Sequence, residues 1–347
     1  MAFPLRTVLL GTARVHREQL AWRRPLQSSV VTAVLTAMCI ALDEPQFALA
    51  VAIGAWFAGI ADTGEAIGDH WRSMAWTTLW VSLAALVGAL ASEHNEAEVG
   101  VVVIMSLACG FVGALGARGA LNGMLALVVY AIFAGSPTSD RGAIQMFALV
   151  AVGGMVQILV AVLPAAARRS QRLTSSVDPR DLVRVRLATH LSTDDDFVRH
   201  AVRLAIAMLL ASLVANISGW PHEYWIPMSV AWMARPDRFG TATRVIERIL
   251  GTIAGIVIAA VLVDGMELGP YGLVVLVGVG VFFCLAFLRA NYPVAVIGIT
   301  CAVVALFAVQ GETVAETAST RIAATGIAGV ITVLTSFIWP SKDQPGD

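Results

Sequence analysis

Charge is scarce in this sequence. Aspartate, glutamate, lysine and arginine make up 14% of its 347 residues, where a soluble domain carries roughly 25%. The deficit runs along the whole length, with 58% apolar residues and a mean hydropathy of +0.78. Such a chain has hydrocarbon as its main solvent. The net charge of −1 excludes a general attraction to nucleic acid or to acidic surfaces. Cysteine is also rare: Cys39, Cys109, Cys284 and Cys301 lie in apolar runs without C-x-x-C spacing. That pattern supports neither a disulfide framework nor a zinc site, and reads as packing. No phosphate-binding loop, catalytic triad or metal-ligand cluster appears, which disfavours an enzyme, a cofactor and ATP-driven transport within the chain. The first 24 residues do not read as a signal peptide, because the apolar stretch Thr7–Gly11 is short and five arginines are scattered around it.

What is present is a series of apolar segments. Measured against the ~20 residues needed to cross hydrocarbon, six fall near 27–43, 45–61, 72–91, 98–117, 119–135 and 142–164. Six more fall near 201–218, 222–234, 246–264, 270–288, 292–310 and 320–339. With the N-terminus inside, the inner loops and termini hold 21 of the 23 basic residues, leaving only Arg141 and Arg321 outside. The outer loops carry Glu93, Glu96, Glu98, Asp264, Glu267, Glu312 and Glu316. This distribution satisfies the positive-inside rule. The expected fold is an all-α polytopic membrane protein of about 12 transmembrane helices, with both termini cytoplasmic, in a bacterial inner membrane.

An offset of 176 residues aligns the chain with itself. It pairs Ala55-Trp56 with Ala231-Trp232, Gly64 with Gly240, Arg72 with Arg248, Gly153 with Gly329 and Pro164 with Pro340. Six spans per half give both halves one orientation, so the repeats are expected to be parallel and related by a pseudo-two-fold along the membrane normal. The domains read as an amphipathic segment (1–26), a first six-helix repeat (27–164), a basic linker (165–200), a second repeat (201–340) and a tail (341–347). Short or proline-interrupted segments at matching positions point to a path between the repeats, and the second span of each half fits.

The most distinctive stretch begins at Tyr224-Trp225-Ile226-Pro227. Arg235-Pro236-Asp237 stops the eighth span, because a residue before proline avoids the helical region. Thr241–Ile249 then reads as helical, with Arg244 and Arg248 on one face. Gly251 and Gly255 make a small-x-x-x-small surface for close helix approach. An anion arriving from the cytoplasm would meet Arg235, Arg244 and Arg248 first.

These pieces resemble the fusaric-acid-resistance-like family of the aromatic acid exporter superfamily. The resemblance rests on Tyr-Trp-x-Pro, Arg-Pro-Asp, and the run Thr243-Arg244-x3-Arg248-x2-Gly251-Thr252-x2-Gly255. Asn291-Tyr292 and Arg321 add to it. The motif residues lie in the second half; the first half keeps Arg72 but has Ala75-Trp76 in place of Gly251-Thr252. Many relatives carry a large cytoplasmic domain between the halves, where this chain has only Ala165–His200. The resemblance implies export of organic anions, often aromatic carboxylates, across the inner membrane. Plant aluminium-activated malate channels, in the same superfamily, line a cationic path with paired six-span units.

Each candidate has a plainer alternative. Arg248 and Arg72 either bind the substrate carboxylate or anchor at lipid headgroups. Arg244 can pair with Glu247, and Arg235 with Asp237. Trp56 and Trp232 either stack on substrate or belong to an interfacial belt. Asn291 and Tyr292 either line the inner mouth or cap a helix. The apolar runs hold almost no carboxylates, so no proton relay announces itself, and Glu223 is the weak choice for proton coupling. A passive anion channel and a scaffold of an envelope complex therefore stand beside the exporter reading. The basic linker is expected to lie on anionic lipid, with Asp194-Asp195-Asp196 capping the seventh span. A periplasmic adaptor or a homo-oligomer is left open as a partner.

Overall fold

The computed structural model describes residues 15–62, 67–93, 95–136, 138–167 and 195–339. The first 14 residues, most of the basic linker including Asp194, and the tail lie outside the described residues. Among those described are twelve α-helices, numbered here in chain order. The first six are α1 (Arg23–Ala41), α2 (Ala48–Ile60), α3 (Ile67–Glu93), α4 (Asn95–Phe111), α5 (Ala117–Ala134) and α6 (Asp140–Ala167). The second six are α7 (Asp196–Ser218), α8 (Trp225–Met233), α9 (Arg238–Val263), α10 (Pro270–Phe287), α11 (Tyr292–Val309) and α12 (Val314–Ser336). Nine of the twelve are long and apolar enough to cross a membrane; α2, α4 and α8 are shorter. The chain is thus an all-α, multi-pass helical membrane protein.

Local chemistry explains the helix ends. Asp195, Asp237 and Asn291 accept from the backbone N–H groups of Phe197, Gly240 and Val294 and cap α7, α9 and α11. Thr313 and Glu316 form a capping box at α12. Pro270 opens α10, where a missing N–H costs nothing. Inside α12, Thr317, Thr320, Thr325, Thr332 and Thr335 donate to carbonyls one turn back. Polar residues are thereby satisfied within their own helix, as a hydrocarbon environment demands.

Two sequence expectations are corrected. Residues 15–22 hold a short 3-10 turn at Arg17–Gln19. The helix α9 begins at Arg238, three residues before the helical stretch expected from Thr241 and eight before the apolar span near 246, because Asp237 caps it. Likewise α12 begins at Val314, six residues before the span near 320, so Arg321, expected to open that span at the outer side, lies two turns into the helix.

The helices alternate in direction, giving the bundle a basic and an acidic end. At the basic end Arg24 pairs with Asp62 at 2.8 Å, the His16 N–H donates to the Ala290 carbonyl at 3.0 Å, and Arg203 donates to the Pro236 carbonyl. At the acidic end His222 pairs with Glu312 at 2.8 Å. Long apolar side chains such as Leu163, Ile217, Val261, Val275 and Leu334 are exposed on the outside, an arrangement that requires lipid. The short helices are the opposite: all nine residues of α8 and twelve of thirteen in α2 are buried. A helix apolar on every side belongs in the centre.

The same neighbours recur in both halves. In the first, α3 packs on α5 and α6, α2 on α6, and α1 on α2 and α6; in the second, α9 packs on α11 and α12, α8 on α12, and α7 on α8 and α12. Across the middle, α4 meets α7, α10 meets α1, and α5 meets α8. Glycine sets the closest approaches. A Cβ on Gly54 would stand 2.0 Å from the Val150 carbonyl oxygen, and one on Gly153 2.1 Å from that of Val51, so α2 and α6 touch through backbone. Gly251 and Gly255 bring α9 onto Pro293, Val296 and Thr300 of α11, the close approach that their spacing predicts.

Gly54→Leu and Gly153→Leu are each expected to cost about 1–3 kcal/mol through overpacking and to lower the melting temperature of the detergent-solubilised protein. Gly100, with nothing within 4 Å of its would-be Cβ, is the control: Gly100→Ala should melt no lower than the parent.

Candidate functional site

The site is built around α8. Nine residues at 1.5 Å each reach only about 14 Å, half the hydrocarbon thickness. Pro227 sits in the first turn, where no intrahelical N–H bond is lost. At the other end Arg235 precedes proline and Ala234 is extended, so the helix stops at Met233. The hydroxyl of Thr241 donates to the Asp237 carbonyl at 2.7 Å and, at 3.2 Å, stands between the carbonyl and the N–H of Arg235, holding the turn into α9.

A small chamber lies beside α8. It is walled by Ile53, Trp56 and Phe57 of α2, Val128 and Ile132 of α5, Trp225, Met228 and Trp232 of α8, and Ile299, Val303 and Phe307 of α11. Two charged groups complete the wall: Arg248 from α9 and Arg321 from α12. Arg248 is 1% exposed and Arg321 2%. Arg248 lies about 15 Å along α9 from the basic end, and Arg321 about 10 Å along α12 from the acidic end. Both are therefore at hydrocarbon depth.

Each guanidinium rests on an indole, Arg248 at 5.5 Å from the Trp232 ring centre and Arg321 at 4.9 Å from that of Trp225. Arg248 donates to the Tyr292 hydroxyl at 3.3 Å, and its Nε has no partner. One terminal nitrogen of Arg321 is buried without a partner. Among the described residues neither arginine forms an ion pair with a carboxylate. A buried charge is ordinarily paired, since desolvation costs several kcal/mol per ion. Two like charges without counter-ions around one chamber leave guanidinium donors that an anionic group could satisfy, beside indole and phenyl walls.

Larger spaces lie on either side. Toward the basic end a cavity of about 480 Å³ is lined by His200, Arg235, Arg244, Arg289 and Trp232. Toward the acidic end one of about 340 Å³ is lined by Tyr130, Ser212, Asn216, Glu223 and Tyr224. The central chamber holds only about 40 Å³, room for about one water. Trp232 is shared between the basic cavity and the chamber, and Tyr224 between the chamber and the acidic cavity.

The sequence candidates fall into separate groups. Arg248, Trp232 and Trp56 meet in the chamber; both tryptophans are buried and no interfacial belt residues, and Arg248 is no headgroup anchor. Tyr292 connects chamber and mouth: its hydroxyl meets Arg248, while Arg244 lies over its ring at 3.0 Å. Arg244 also stands 3.9 Å from Glu247. Arg235 and Arg244 line the basic cavity, and Asp237 is spent on the α9 cap. Asn291 is the α11 cap. Arg72 is exposed beside Trp71 and lines none of the three cavities. Glu223 faces the acidic cavity, away from the arginine chamber. Arg321 is the residue that hydropathy reading misplaces; its isolation in the last span was the available signal. Phe57, Phe307 and Ile53 carried none, because a chamber-lining apolar residue looks like core in a sequence.

A polytopic helical membrane protein with a cationic, aromatic-walled chamber at its centre is thus the class these features define. The family model described as Fusaric acid resistance protein-like matches residues 209–335, a range that contains both chamber arginines. The chain is 32% identical over 157 residues to the inner membrane protein YccS of Escherichia coli K12, covering 45% of this chain and 22% of that one. It is 31% identical over 156 residues to an uncharacterized protein of Haemophilus influenzae (44% and 21%) and 30% identical over 114 residues to the uncharacterized protein YhfK of Escherichia coli K12 (33% and 16%). The chain spans about a fifth of the length of these curated relatives. No solved structure matches it significantly. Over residues 209–335 the chain is thus similar to the fusaric-acid-resistance-like family.

Removing an unpaired buried charge relieves strain. Arg248→Met and Arg321→Met are expected to raise stability by about 1–4 kcal/mol, seen as a higher melting temperature in detergent. A lower one would mark the arginines as structural.

Proposed function

We propose that the protein exports organic anions, aromatic carboxylates foremost, from the cytoplasm of a bacterium through the chamber between its two halves. The observation that carries this reading is the pair of buried arginines without counter-ions, Arg248 and Arg321, each laid on an indole in one aromatic chamber. Similarity to the fusaric-acid-resistance-like family points the same way.

The architecture behind it is a pair of parallel six-helix repeats. The 176-residue offset carries Ala48 to Tyr224, Asn95 to Tyr271 and Ala117 to Pro293, each one residue from the start of the matching helix. The repeated set of neighbours within each half, and the exchange of α4 on α7 for α10 on α1, support a two-fold relation. In this arrangement α2 and α8 are the matched short helices between which the path runs. The charge is not repeated: the offset relates Arg248 to the exposed Arg72, and Arg321 to Gln145. The second repeat supplies the cations and the first supplies apolar wall.

The basic end faces the cytoplasm under the positive-inside rule. An anion gathers in the basic cavity beside Arg235, Arg244 and Arg289, passes Trp232, and meets Arg248 and then Arg321. The chamber is closed to about 40 Å³ between two wider cavities. That suits a carrier with alternating access better than an open channel, because an organic anion fits only after α2 or α8 moves.

In liposomes reconstituted with the full chain, benzoate flux is expected to fall at least about tenfold in Arg248→Ala and in Arg321→Ala, the loss of one charge-assisted contact. Arg72→Ala should keep the parent rate. Unchanged flux in both chamber variants, with folded protein, would sink the assignment.

A further inference from the structure

The chamber is roofed at the acidic end by an arrangement that the anion site does not need. His222, just before α8, stacks on Trp225 with ring centres 4.6 Å apart and planes 24° from parallel, and lies 4.6 Å from the Phe307 ring. Its Nε2 is 2.8 Å from a carboxylate oxygen of Glu312, in the turn between α11 and α12, and its Nδ1 is 3.3 Å from the Tyr224 hydroxyl. The pair therefore ties the start of α8 to the α11–α12 turn, across the two helices whose Trp225 and Phe307 close the chamber. The His222 backbone is held at φ +54°, a left-handed conformation sparsely used outside glycine.

The pair is placed to take a proton from solvent. The side chains are 19% and 30% exposed, whereas Arg321, which also contacts the Trp225 ring, is buried. Both imidazole nitrogens have partners, one the carboxylate and one a hydroxyl that can donate or accept, so the ring can hold one or two protons without losing a contact. The other titratable groups carried by the surrounding elements are Glu223 and Tyr224 on the α7–α8 link, and Glu316 and Arg321 on α12; those of α11, Tyr292 and Cys301, lie one and a half turns or more from Phe307 toward the basic end.

We propose that His222 and Glu312 form the proton-binding site that governs opening of the chamber toward the acidic end, in place of Glu223. Glu312 takes up the proton from the solvent on that side. Its neutral carboxyl then no longer carries the charge that holds His222, while Arg321 lies 4.9 Å from the Trp225 ring on which His222 stacks. The bridge parts, Trp225 and Phe307 separate, and the chamber opens. This rests on the transport reading for its purpose and adds the coupling ion.

The opening can be read without any substrate. Val303 lines the chamber one turn below Phe307, so modification of Val303→Cys by a bulky hydrophilic maleimide, followed at position 303 by mass spectrometry, reports access. At pH 7.5 the rate is expected to rise about fivefold when Glu312→Gln or His222→Gln is added. Acidifying the medium should raise the parent rate, corrected for thiol ionisation against a free thiol, and leave that of Glu312→Gln unchanged. Equal rates at pH 7.5 in both bridge variants, each giving the parent helical circular dichroism, overturn the proposal. In benzoate-loaded liposomes the parent flux should respond to acid on the acidic-end side, and Glu312→Gln should not. Absence of benzoate flux with the labelling result intact removes the substrate assignment and leaves the proton site standing.

Discussion

Two guanidinium groups kept from water, at hydrocarbon depth and without a carboxylate beside them, organise this molecule. A charge in that position is costly in a membrane, and the protein offsets the cost only in part. Indole faces lie under Arg248 and Arg321, and a tyrosine hydroxyl accepts from Arg248. Arg248 Nε and one terminal nitrogen of Arg321 stay buried without a partner. Everything else in the centre of the bundle follows from holding them so: two short helices buried on all sides, glycine contacts that press their neighbours close, and a turn at Arg235-Pro236-Asp237 that starts α9 early enough to carry Arg248 inward.

The two halves share helix neighbours but differ in what they bring to the chamber. Matching helices with matching neighbours supply a symmetric scaffold, and a symmetric scaffold can rock about its middle. A two-fold alone would place equal groups on both sides of the path. Instead the second half brings both cations, both stacked indoles and the His222–Glu312 roof, while α2 and α5 bring Ile53, Trp56, Phe57 and Ile132. The charged groups of the chamber come from the half in which the family match lies, residues 209–335, and the first half supplies apolar wall.

Much of this was legible in the residues. The apolar runs, the scarcity of charge and the segregation of arginine located the helices, since hydrocarbon leaves few other solutions for a backbone that must satisfy its own hydrogen bonds. Helix starts were less so: Arg238–Arg244 and Val314–Ser319 are polar yet helical, because a helix does not end where its hydrophobicity does. Arg321 was misplaced for that reason, and Trp56 and Trp232 were indistinguishable from interfacial tryptophans until their neighbours were known.

The sequence by itself determined the solvent, the number of apolar segments, the small-residue contact of α9 on α11 and the family resemblance of the second half, because these depend on composition, period and local motif. Only the tertiary structure decided that Arg248 and Arg321, 73 residues apart, share one chamber, that Arg72 stays outside it, and that His222 reaches Glu312. Those are facts about which helix faces meet. A face is chosen by packing among many near-equivalent apolar surfaces, and no single helix records that choice in its own residues.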